Sequence, residues 1–137
     1  MAVKTVSNRF KYSILSAISG HTIKAILMAS GFTFDKDTHH VYSDVSASEL
    51  TTANGYTAGG ATLTGITVTE DDANDRATFT ANDVTWTASG TGLTARACIF
   101  YDTSNSNTII GCVDFESDST VPAGAVMKIE DISVSIT

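Results

Sequence analysis

The side chains able to do chemistry are few and scattered. Histidines stand at His21, His39 and His40. The adjacent pair point in different directions in any extended segment, and no cysteine or carboxylate cluster completes a zinc set at ligand spacing. They are therefore expected to be surface-loop residues and not metal ligands. Serines are numerous enough to assemble a Ser-His-acid triad on paper. No strained nucleophile turn of the G-x-S-x-G type occurs, so catalysis is not expected. The acidic knot "EDDAND" (70–75) offers oxygen ligands to a hard cation. It lacks the alternating D-x-D-x-D-G order and the terminal glutamate of a helix-loop-helix calcium site, and a hairpin turn in which Asn74 and Asp75 tolerate left-handed backbone is favoured. Cys98 and Cys112 could form a cross-strand disulfide or be two small buried hydrophobes; with no secretion signal recognised, free thiols are favoured. No catalytic residue, cofactor or metal ligand is assigned, and the protein is expected not to be an enzyme.

The scaffold must therefore carry the function. A chain of 137 residues suits one core, burying roughly two-thirds of its unfolded surface. With 42% apolar and 17% charged residues, neither a disordered tail nor a membrane protein is expected. The opening "MAVKTVSNRFKYSILSAISGH" places Lys4 and Arg9 before an apolar stretch, as a secretion signal does. Lys11 and several serines interrupt that stretch, and it is read as mature protein. Eight basic against fifteen acidic residues give a net charge of −7, which repels phosphate backbones and anionic membranes, so no direct nucleic-acid or membrane binding is expected.

From about Gly20 the dominant period is two. "HTIKAILMAS" is apolar enough for a strand buried on both faces; a helix shares that pattern, but threonine and isoleucine favour the strand. "DKDTHHVYSDVSASEL" carries Asp44, Ser46 and Ser48 as capping residues and predicts a helical turn or ordered loop. "TANGYTAGG" is loop, with Asn54-Gly55 and Gly59-Gly60 supplying positive φ. In "ATLTGITVT" and "RATFTANDVTW" the apolar parity changes at Gly65 and near Asn82-Asp83, which predicts bulges there. "LTARACIFYD" and "NTIIGCVDFE" predict a hairpin with its tip at residues 104–106. That register sets Phe100 against Ile110, Cys98 against Cys112 and Arg96 against Asp114. "GAVMKIEDISVSIT" predicts a long strand whose parity switches at Glu130-Asp131. Seven or eight strands result. The expectation is an all-β, single-domain antiparallel β-sandwich, jelly-roll-like, over residues 21–137, with residues 1–20 as an N-terminal arm or first edge element. Trp86, Phe79, Phe100 and Phe115 are expected in the core. Phe32, Tyr42 and Tyr56, in or near loops, and Arg9 and Phe10, in the arm, are the expected partner-contact residues.

The segment "YSDVSASELTTANGYTAGGATLTGITVTEDDANDRATFTANDVTWTASG", followed by "TARACIFYDT" and "IIGCVDF", resembles a group of small virion proteins of tailed bacteriophages. The likeness covers roughly residues 22–115. Its most particular elements are "SDVSASEL", "GYTAGG" and "DDANDRATFTANDVTW"; the C-terminal "ESDSTVPAGAVMKIEDISVSIT" is less distinctive. The resemblance implies a capsid decoration or cement protein, made in the host cytoplasm and located on the capsid exterior. Its implied partner is the major capsid protein, whose capsomers it bridges. Symmetry at local axes adds self-association as a homodimer or homotrimer. A head-tail adaptor or tail-associated virion protein and a lectin-like binding domain are the alternatives.

Overall fold

The parity changes at Gly65, Asn82-Asp83 and Glu130-Asp131 are places where the chain changes sheets. A computed structural model describes residues 2–137. Among them are nine strands and two α-helices: α1 (Asn8–Ser16), β1 (Ile23–Met28), α2 (Tyr42–Val45), β2 (Ala61–Thr62), β3 (Thr67–Asp71), β4 (Arg76–Thr80), β5 (Val84–Thr87), β6 (Leu93–Asp102), β7 (Thr108–Val121), β8 (Val126–Ile129) and β9 (Ser133–Ile136). All strand pairs are antiparallel, and the chain has the expected all-β, sandwich-like character. It forms two compact units. One takes residues through Gly20, Thr64–Asn82 and Asp131–Thr137; the other takes His21–Leu63 and Asp83–Glu130. What the sequence predicts as bulges are thus crossings from one unit to the other. The predicted long C-terminal strand is two strands, β8 and β9, split at Asp131, whose φ is +50°.

In the first unit the sheet order is β3-β4-β9. Phe79 lies between Val68 on β3 and Val134 on β9, so one line of apolar side chains crosses all three strands. Ala77 and Phe79 are fully buried. Residues 8–16 of the expected arm form α1, which lies against β3 and β4.

In the second unit the order is β2-β1-β6-β7, with β5-β8 as a separate two-stranded ribbon. β1 is buried on both faces, as the apolar run Ala25–Met28 requires, with Lys24 half-buried. Ile26 and Met28 on one face join Ala97, Ile99 and Tyr101 of β6 in a cluster that Phe32 and Val45 complete. Ile23, Ala25 and Leu27 point the other way, level with Phe100 and Cys98, and are equally buried.

The β6–β7 hairpin corrects the predicted register. Near the tip Tyr101 faces Ile109 as expected, but Ile110 bulges out and the pairs as far as Ala97 slip by one: Phe100 faces Gly111, Ile99 faces Cys112 and Cys98 faces Val113. Cys98 and Cys112 therefore occupy opposite faces of the sheet, and both are free thiols. Burial pushes the Cys98 thiol up, and burial followed by the Asp114 charge raises that of Cys112 to about 11. A second irregularity between Ala97 and Ala95 sets residues 115–118 opposite Arg96 alone. Glu116 takes φ +65° there, its N–H donating to Asp114 Oδ1 at 2.7 Å. Arg96 still reaches Asp114 at 2.9 Å.

Candidate interaction surface

Glu49, which the sequence does not single out, organises the loop that carries the tyrosines. It follows the 3-10 turn Ser46–Ser48 and is only 9% exposed. Its Oε2 accepts from the Tyr42 hydroxyl at 2.5 Å; its Oε1 accepts from the Tyr56 hydroxyl at 2.6 Å and from the Gly59 N–H at 2.7 Å. The Tyr56 oxygen in turn accepts the Leu27 N–H at 3.1 Å, tying the loop to β1. Tyr42 stacks on Tyr101 with centroids 4.8 Å apart, and the Tyr101 hydroxyl donates to the Gly59 carbonyl. Donation to Glu49, helped by burial, raises Tyr42 to about 12; burial and then the same carboxylate raise Tyr56 further. Both carboxylate oxygens are occupied by donors from the protein itself, so the cluster is a clamp. The surface role expected of Phe32, Tyr42 and Tyr56 gives way to an interior one: Phe32 and Tyr56 are buried, and Tyr42 is half-buried against the same core.

The remaining reactive types are similarly committed. His21 Nδ1 lies 2.6 Å from Oδ2 of the buried Asp102, an acid-histidine pair of the kind that orients a general base. The nearby Ser104 hydroxyl accepts the Thr22 N–H, and the other Asp102 oxygen accepts the Ser104 N–H, so the trio fastens the hairpin tip to the start of β1. His39 is not a free loop residue: its ring lies against Phe32 and Phe34, and its Nδ1 accepts the Asp35 N–H. In the acidic knot, Asp71 accepts from the Asn74 side chain and backbone and from Arg76 Nε. These bonds, the Asn74 side chain first, hold its carboxyl below the usual range. Asp75 has φ +53°, as the turn reading predicts. Among the described residues no group of three or more His, Cys, Asp or Glu is placed to hold a metal ion, and no helix is long and apolar enough to cross a membrane.

What the molecule does present is an apolar surface at its N-terminal end. On α1 the inner side is fixed by Leu15, which is buried, and by Lys11, whose Nζ donates to the Asp75 carbonyl at 2.6 Å. Arg9 pairs with Glu70 at 3.0 Å and lies over the Tyr12 ring. The outer side holds Phe10 and Ile14, 59% and 46% exposed. Val6 and Val3 precede them at 55% and 87%. Of the expected contact residues, Arg9 and Phe10 are thus on this surface. Val3, Val6 and Ile14 were missed, although their spacing of three, four and four residues through Phe10 is the signature of one helical side. No protein-family model, curated protein or solved structure matches the chain.

Proposed function

We propose that this protein is a non-enzymatic decoration, or cement, protein of a tailed-phage capsid, which binds the outer shell, bridges capsomers of the major capsid protein and associates with copies of itself. The observation that carries the reading is a contrast within the molecule. Its polar reactive side chains are spent on internal bonds, as at Glu49 and Asp102, while large apolar side chains are left in water on α1 and the residues before it. Exposed apolar clusters mark surfaces for other proteins. The motifs "SDVSASEL", "GYTAGG" and "DDANDRATFTANDVTW" lend the reading its phage context. The mechanism is linkage: a protein that binds only the assembled shell stabilises each site by about 2.7 kcal/mol at a hundredfold excess over its Kd. Repeated over many sites, that resists disassembly without any reaction.

Copy number tests it. Densitometry of purified particles should find this chain near stoichiometric with the major capsid protein, and particles stripped of it should disassemble at lower temperature. Absence from finished particles overturns the proposal. A copy number fit for a single ring replaces it with the adaptor reading.

A further inference from the structure

Among the described residues six large apolar ones are well exposed, and they fall in two places: Val3, Val6, Phe10 and Ile14 at the N-terminal end, and Val113 and Val126 on β7 and β8. The two places carry opposite charge. Residues 2–20 hold Lys4, Arg9 and Lys11 and no acid, in a chain whose net charge is −7. Residues 113–121 hold Asp114, Glu116 and Asp118 and no base; Arg96 pairs with Asp114, which leaves Glu116 and Asp118 outside any ion pair among the described residues. Between β7 and β8 lies an open groove of about 540 Å³, lined by Phe115, Asp118, Val121, Val126 and Met127 among others. Lys128, also at the groove, is paired with Asp83 and Glu130.

The backbone at this groove is also unpartnered. Beyond a bridge of Thr108 to Val41 at its start, β7 pairs with β6, and β8 pairs with β5, so among the described residues each strand leaves an edge open at the groove. An open edge accepts an added extended segment, the main chain supplying the bonds and alternate side chains the fit. Residues 2–7 lie outside helix and strand and are exposed, and Ser7 is extended at φ −65°, ψ 138°. Val3, Thr5 and Val6 in that stretch are β-branched and suit a strand.

We infer that residues 2–14 of one copy dock in the β7/β8 groove of a second copy, the extended part joining an open strand edge and Lys4 meeting Glu116 and Asp118 of β7. The contact joins two different surfaces, so it either closes, with reciprocal exchange between two copies as the smallest ring, or propagates. It rests on the self-association within the proposed function and not on shell binding, so isolated protein tests it separately from particle composition.

The test uses two variants of the full chain. One is Val3→Ser/Val6→Ser/Phe10→Ser, which empties the N-terminal surface; the other is Asp118→Lys/Val126→Lys, which spoils the groove. Sedimentation velocity at high micromolar concentration should find the wild type associated and each variant monomeric. An equimolar mixture should then form a two-chain species that grows no further, because one intact surface of each kind remains. A monomeric wild type, a variant that keeps the wild-type mass, or a mixture that stays monomeric overturns the inference. Hydrogen exchange on the wild type needs no variant: on concentration, residues 2–7 should gain protection together with one groove edge, 113–121 or 126–129, and protection confined to the arm or to the groove also overturns it.

Discussion

At the scale of single residues, the Glu49 carboxylate decides where the loop tyrosines go. Three donors converge on it from Tyr42, Tyr56 and Gly59. Glu49→Ala leaves them without an acceptor in a buried place, and a loss of roughly 3 kcal/mol of stability is expected, read by urea denaturation. The tyrosines give a matching pH signature. The folded state raises Tyr42 from 10.0 to about 12 by its bond to Glu49. That contribution is whole below pH 10 and is lost as pH rises through about 12. Absorbance titration of the wild type should find tyrosines that ionise only with alkaline unfolding, and the variant should unfold at lower pH. None of this was legible in "TANGYTAGG". A tyrosine in a glycine-rich loop has the same local pattern whether it faces water or a carboxylate, and the one signal, a glutamate beside Leu50, is indistinguishable from a surface acid. Arg9 and Phe10 were named only as residues of an expected arm; the helix that turns them away from the buried Leu15 was not read.

Elements were easier to read than their partners. The burial of β1 on both faces follows from its composition alone, and the turn at 70–75 from its Asn and Asp residues. The parity breaks at Gly65 and Asn82-Asp83 were visible as well, but a local break says that the strand ends and not which sheet receives the next one. The β6–β7 register failed for a similar reason: Ile110 is as good a strand residue as its neighbours, and only the packing of both faces shows that it is the one left over. Gly59 and Gly60 separate local from long-range demands. Both have positive φ, +94° and +80°, but a Cβ on Gly59 meets nothing within 4 Å, whereas one on Gly60 falls 2.0 Å from the Ala25 carbonyl of β1. Gly59→Ala is expected to cost about 1–2 kcal/mol, the left-handed penalty alone. Gly60→Ala should cost clearly more, since β1 must shift to admit it. Equal denaturation midpoints for the two would mean that the close approach to β1 is relaxed without penalty.

For the whole molecule, net charge and local charge oppose each other. Each copy carries −7, so copies repel at long range, while in the inferred contact Lys4 and the acidic residues of β7 attract. Salt separates the two by distance. At about 0.01 M the screening length of roughly 30 Å lets the net repulsion act; at about 0.15 M, with roughly 8 Å, mainly contact pairs remain; at about 1 M, with roughly 3 Å, these too are weakened. Light scattering should therefore find association strongest at intermediate salt, and a steady decline from the lowest salt upward would mean that net charge plays no part. The order of the sheet β3-β4-β9 has a further consequence for biosynthesis. Translation delivers α1 first and β9 after every other element described, yet both belong to one unit. A ribosome that halts before residue 133 leaves β4 with a bare flank, so α1 rests on a finished sheet only once β9 has emerged.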